Sequence, residues 1–465
     1  MPYVNDIHDF EKNKDEAKKW AEERYSDWQE RLLTRLEKEE IMDFMNNKED
    51  AQQLNNYLED TRGNIPETSE YRENIERLDK GLKRVKTEQA IFVYQRVSEQ
   101  YFGHEVGSFR EDSIKIDQIK FDEFKEKFIQ NQSVLKENGY MEASLSGISP
   151  NLAKEPCIYI RLKVPKGTHG GYTGNLQGTE GGTHDFLLDR GYGIQFTDAK
   201  IITEKGKQYI KVEAELLTKE NLDQKIKEYS KELNLQLGLN ISENLEFIYL
   251  DLTGRYIHQN LEISTDVVKN MKNVNQLFWE KLNEEFKHYE SPYAPFNIVD
   301  YQPTNHPAFE YLKNTENDYA LGLHLTEYGH ETIISLKNIN DKHQLASFTA
   351  LHELGHALDD LVFKNISLTP DFDKIHKREQ PSFIPGSYFE KVQEYFAECF
   401  AYYYYIGPEN SNQILQDEAP QTYEFISKLE NFIPQIKLKN DSYLVNDFNI
   451  NFIFHNSICN IYYRK

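Results

Sequence analysis

Residues 345–360, LASFTALHELGHALDD, decide how the second half of this 465-residue chain is read. Within them His352 and His356 stand four apart, which on a helix sets one imidazole above the other on a single face. Two imidazoles so placed can hold one Zn²⁺ together, and Glu353 between them is then the general base that activates water. The five-residue pattern is short, and the alternative is a surface helix carrying two solvated histidines. Asp359 and Asp360 continue the same helix, either in support of the histidines or solvated.

Further on, residues 391–405, KVQEYFAECFAYYYY, place Glu394 and Glu398 four apart on the polar side of an aromatic helical stripe. Together with HELGH this resembles the gluzincins, which take a third zinc ligand from such a helix and support a ligand histidine with a carboxylate one turn later. The resemblance implies His352, His356 and Glu394 as ligands, Glu353 as base and Glu398 as the partner that fixes a histidine tautomer. A His₂Glu set with a position left for water is a catalytic rather than a closed structural site. The plainer reading of Glu394 and Glu398 is two solvated glutamates on a helix.

Composition narrows the function classes. With 77 acidic against 54 basic residues the net charge is −23, spread along the chain, which argues against sequence-independent nucleic-acid binding. The length favours two or three domains. Three cysteines, Cys157, Cys399 and Cys459, show no CxxC spacing and no even count, so no disulfide framework is implied, and Cys399 reads as packed. No apolar run of 18 residues is found and the start lacks a signal-peptide pattern, so a soluble chain is expected, with a leader removed before this numbering still allowed.

Taken in order, residues 8–60 have a helical period, 61–66 break it, and a second helical run reaches about Thr87. IFVYQRV (91–97) reads as a strand, a helical patch covers 121–138, and YMEASLSG (140–147) and CIYIRLKV (157–164) follow as strands. A glycine-rich loop, 165–185, lacks the Gly-Lys-Ser/Thr of a phosphate loop. FLLDRGYGI and a hairpin about Glu204–Lys207 come next. Residues 218–238 predict a helix ended by Gly238 and bridging two domains. The second half predicts a strand at 245–252, a long helix at 265–287, a loop-rich stretch at 288–320 and a strand at 331–339. The expected class is α+β, with a mixed domain over 1–217, the bridge over 218–238, a mostly helical domain with a small sheet over 239–435, and a tail over 436–465.

Four stretches, LHELGHALDD, QEYFAECF, APQTYEFISKLENFI and LTGRYIHQNLEIS (252–264), resemble the protease domain of the anthrax lethal factor family. AKKWAEERYSDW, IFVYQRV, YMEASLSG and FLLDRGYGI resemble the ADP-ribosyltransferase fold of VIP2 and iota-type toxins, which lethal factor carries in degenerate form. No counterpart of the protective-antigen-docking module is found, and 436–465 has no match; an added strand pair is the preferred reading of that tail.

The resemblance implies an Arg on NAD phosphate, a Ser-Thr-Ser strand and a Glu-x-Glu in active transferases. Arg96 fits the first, Glu142-Ala143-Ser144 keeps only the last Ser, and Thr183-His184-Asp185 stands at the carboxylate pair. The catalytic Glu is thus Asp185, one methylene shorter, so a degenerate domain without NAD is expected, an active transferase being the alternative. For the protease the family also implies a Tyr that donates to the oxyanion. Tyr388 is offered, although the family spacing falls on Ser387. The strand at 331–339 is expected at the cleft edge, pairing with an extended substrate. The resemblance as a whole implies a secreted zinc endopeptidase acting in the host cytosol on host proteins such as MAP kinase kinase tails, with a separate translocation component for entry.

Overall fold

A computed structural model describes residues 7–147, 157–176, 185–239, 247–289, 291–326, 329–337, 343–408 and 410–433. The tail 436–465 with Cys459, the pair Thr183-His184 and most of the glycine-rich loop's second half lie outside the described residues. The chain divides into two compact units, Met1–Gln224 with Gly254–His258, and Lys225–Thr253 with Gln259–Lys465.

The first unit opens with helices α1 (Lys14–Asp27), α2 (Arg35–Asn46), α3 (Lys48–Asp60) and α4 (Arg72–Lys83), with α5 (Gln118–Phe124) later. The single helical period read over 8–60 is thus cut. A capping box of Thr34 with Glu37 restarts the chain at α2, and Asn47 caps α3. Strands β1 (Ile91–Val97), β2 (Val134–Glu137), β3 (Met141–Ala143), β4 (Ile158–Val164), β5 (Gly170–Tyr172), β6 (Phe186–Leu188), β7 (Tyr192–Glu204) and β8 (Lys207–Leu217) make two sheets. Their orders are β1-β4-β8-β7-β2 and β3-β6-β5. β4 shows why the alternation matters: Ile158, Ile160, Leu162 and Val164 are fully buried while Arg161 and Lys163 reach solvent. Arg161 binds Asp9 and Glu213, and Lys163 binds Glu215 on the neighbouring strand.

The FLLDRG stretch has a structural job. Arg190 grips Asp79 of α4 through Nε and Nη2, both at 2.9 Å, and donates from Nη1 to the Gly63 carbonyl at 2.9 Å. Tyr140 Oη donates to the same carboxylate at 2.6 Å. The pair joins the β6–β7 turn to the helical layer.

In the second unit β9 (Ile248–Asp251), β10 (Phe296–Val299), β11 (Gly322–His324) and β12 (Thr332–Ser335) form one sheet of order β11-β12-β10-β9. β9, β10 and β12 run parallel and β11 is antiparallel to β12. β10 and β12 are buried at every position, the run expected of parallel strands covered on both faces. The unit's helices are α6 (Lys219–Gln236) and α7 (Ile257–Met271), whose first turns belong to the first unit, then α8 (Gln276–Phe286), α9 (His343–Ala357), α10 (Pro370–Phe383), α11 (Val392–Tyr404), α12 (Ser411–Glu418) and α13 (Pro420–Ser427).

Four expectations need correction. The helical patch at 121–138 ends at Gln130, and the chain then extends into β2. The long helix at 265–287 is two, α7 and α8, parted where Asn275 caps α8 through the Leu277 amide. The loop-rich stretch 288–320 contains β10, a central strand too short to show a period. The strand at 331–339 is not the sheet edge, because β12 has β10 on one side and β11 on the other. The outer side of β9 is closed by α6: Asn234 Oδ1 accepts from the Ile248 amide at 2.8 Å and Ser230 Oγ from the Leu250 amide at 3.0 Å. That leaves β11, buried at each of its three positions and paired on one side among the described residues, as the other edge strand.

Burial raises the cost of charge on Asp79, but bonds to Arg190 and Tyr140 outweigh it and hold its carboxyl below the ordinary 3.8. Because the folded value is depressed, the stabilisation is full above 3.8 and fades as pH falls through the lowered value. Asp79→Ala leaves Arg190 buried without its anion and is expected to cost about 3 kcal/mol. Hydrogen exchange over β6 and β7 reads this loss, which shrinks toward acid pH.

Candidate metal centre

The helix α9 is buried on nearly all sides from Ala346 onward, packed on β11, β12 and α11. Its approach to α11 turns on Gly355. A Cβ there would lie 3.0 Å from Ala397 Cα and 3.3 Å from the Ala397 carbonyl, so the middle of HELGH seats one backbone on the other. That contact brings Glu394 and Glu398 of α11 under the two histidines of α9.

Three atoms then converge. His352 Nε2 and His356 Nε2 are 3.1 Å apart, and Glu394 Oε2 lies 3.2 Å from His356 Nε2 and 3.4 Å from His352 Nε2. Zinc–ligand bonds of about 2.0–2.1 Å in tetrahedral geometry separate ligand atoms by about 3.3 Å, so the triangle has the size of a zinc face. The donor set and the distances both fit the ion. Glu398 Oε2 accepts from His352 Nδ1 at 2.8 Å, which fixes that ring's tautomer and turns Nε2 toward the other two atoms as a candidate ligand. Burial opposes charge on His352, yet bonds to Glu394 and Glu398 hold its pKa up at about 10. Metal binding therefore releases a proton.

Glu353 is fully buried, and neither carboxylate oxygen has a hydrogen-bond partner among the described residues. Burial, with Glu394 nearby and His352 opposing, pushes its pKa up to about 8. Its side chain lies on Gly322 of β11, where a Cβ would come within 2.5 Å of Glu353 Cγ and 2.6 Å of Oε1. Tyr388 Oη donates to Glu394 Oε2 at 2.5 Å. Ser387, the position favoured by family spacing, is exposed.

Asp359 is buried and accepts from Ser367 N at 3.0 Å and from its hydroxyl. Asp360 faces His324 and His330. Cys399 is buried in α11, as is Cys157 in the first unit. Sequence reasoning missed Gly322, His324 and His330: they lie on and beside the short strand β11, which no periodicity marks.

The first-unit candidates are placed differently. Arg96 donates to Glu204 at 3.3 Å and its guanidinium stacks over Tyr159 and Tyr209. Ser144 exchanges backbone bonds with Tyr94, at 2.7 and 2.8 Å. Asp185 accepts from the Leu145 amide at 2.9 Å, and burial raises its carboxyl pKa although that bond and the Ser144 hydroxyl oppose the rise. The structure thus brings Ser144 and Asp185 together and engages Arg96 elsewhere.

Comparisons with known proteins show the same division. Residues 17–219 match the family model of the ADP-ribosyltransferase exoenzymes, and 261–429 that of anthrax toxin lethal factor, N- and C-terminal domain. Lethal factor of Bacillus anthracis is 23% identical over 413 residues, 82% of this chain and 48% of that protein, so the chain spans about half its length. A Pro-Pro endopeptidase of Clostridioides difficile is 39% identical over 80 residues, 17% of this chain and 36% of that one. Among solved structures, the ADP-ribosyltransferase toxin Plx2a of Paenibacillus larvae is 30% identical and covers 46% of this chain and 100% of its own, with a TM-score of 0.41.

Glu398→Ala frees the His352 ring to turn and is expected to weaken zinc binding about 10–100-fold with the fold kept. Competition with a chelator, beside a thermal melt, measures it.

Proposed function

From a chain that matches the ADP-ribosyltransferase exoenzyme family over 17–219 and the anthrax lethal factor family over 261–429, we propose that the second unit is a zinc endopeptidase of gluzincin type. The observation that carries this is the ligand triangle of His352, His356 and Glu394 beside the partnerless carboxylate of Glu353. A zinc ion bound there supplies a Lewis acid that polarises a scissile carbonyl and lowers the pKa of water.

The chain's own groups do the rest. Glu353, held at the site by Gly322, takes the proton of the attacking water and passes it to the leaving amine. Tyr388, already within bonding reach of Glu394, turns its hydroxyl to the developing oxyanion. An extended peptide adds to the edge strand β11, so the backbone is held by strand pairing and side chains supply selectivity. The matched segment of a Pro-Pro endopeptidase supports proline-containing peptides as substrates, and the lethal factor match supports host proteins as their source. In this reading the protein is secreted and acts inside the host cell, with a separate component for entry. No described helix is long and apolar enough to cross a membrane.

The first unit we read as a scaffold rather than a working transferase. Asp185 is tied to Leu145 and Ser144 at a site whose burial disfavours the charged carboxylate that the chemistry requires. Labelled NAD transfer that depends on Arg96 would overturn this reading.

Glu353→Gln is expected to keep zinc and lower peptide hydrolysis by at least about 10³-fold, the scale of a lost general base. Mapping new amino termini in a eukaryotic lysate, with Glu353→Gln as control, tests the reading directly: termini that need Glu353 support it, and equal termini from both proteins reject it. Tyr388→Phe should lower kcat about 10²–10³-fold with little change in KM, read from steady-state cleavage of a peptide so identified.

A further inference from the structure

We infer that His324, His330 and Asp360 form a second divalent-cation site, suited to Zn²⁺, one helical turn past His356 and at the end of the edge strand β11. One ligand atom from each of the three lies within 4.8 Å of the others. Asp360 Oδ2 is 3.3 Å from His324 Nε2 and 2.6 Å from His330 Nδ1. Two imidazoles and one carboxylate are a donor set that zinc accepts readily.

The surroundings prepare these groups for a ligand's role. His324 Nδ1 lies 3.0 Å from Thr332 Oγ1, and that bond fixes the ring so that Nε2 faces Asp360. The His324 side chain is 1% exposed, so its ring is held by its neighbours rather than by solvent. His330 stands in the turn between β11 and β12 with φ of +55°, an uncommon backbone for a side chain of its size. Its ring packs on Tyr289 with centroids 4.2 Å apart. The His324–Asp360 distance already equals a tetrahedral edge. The His330–Asp360 distance must open by about 0.7 Å, so His330 on its turn is the ligand that moves.

A cation here joins the β11–β12 turn to the helix that carries the first centre. It thereby stiffens the end of the strand on which a substrate would lie. The site uses none of the ligands of the first centre, and its test separates the two.

Wild-type protein, His330→Ala, Asp360→Asn and His352→Ala are saturated with Zn²⁺, dialysed against metal-free buffer and assayed by elemental analysis. Melting in chelator confirms that each variant is folded. About two zinc ions per chain are expected for wild type and about one for each variant. One ion in wild type that His352→Ala removes and His330→Ala leaves would overturn the proposal and reduce the cluster to an ion pair. One ion that His330→Ala removes and His352→Ala leaves would uphold this site and reject the first.

Discussion

Everything at the first centre depends on how closely two helices can approach. Gly355 rests against the Ala397 backbone, and no larger residue fits without moving α11. That seat sets the depth of Glu394 and Glu398 beneath His352 and His356. An extra methyl costs about 1–3 kcal/mol in a packed interior, but the chemical penalty is larger. A few tenths of an ångström at the helix contact become a misfit in a triangle whose edges are 3.1 to 3.4 Å. The small residue in HELGH is therefore as much part of the centre as its histidines.

The two pairs were legible because a helix repeats every 3.6 residues, which puts His352 above His356 and Glu394 beside Glu398, while the expectation that the pairs meet came from the gluzincin resemblance. The strand β4 was legible for the matching reason, an alternation that burial enforces. What escaped was set by tertiary contact. β10 is four residues long, and its Asn297 is buried by bonding to the carbonyls of Ala294 and Thr332, so nothing in the sequence reads as a central strand. The edge position went to β11 and not to the more regular β12, which only the sheet order reveals. Tyr388, offered one position away from the family register, reaches Glu394 on a turn whose course spacing cannot predict.

The first unit teaches the converse. Residues in the stretches that resemble a transferase have structural partners: Arg190 of FLLDRG secures Asp79, Arg96 rests on two tyrosines, and Asp185 is bonded to Leu145. Charged side chains at motif positions can hold a fold's shape whether or not they also take part in chemistry. Motif fragments in a sequence therefore bear on ancestry before they bear on activity.

The lone carboxylate of Glu353 has a thermodynamic meaning. A buried acid with no hydrogen-bond partner among the described residues weakens the folded state locally and is held in place by the helix around it. Any molecule that offers it a hydrogen bond relieves that weakness, and by linkage the gain appears both as affinity and as resistance to unfolding. Occupancy of the cleft and cohesion of the second unit are thus two readings of one free energy. A ligand would be detectable by the heat the protein withstands before any bond is cut.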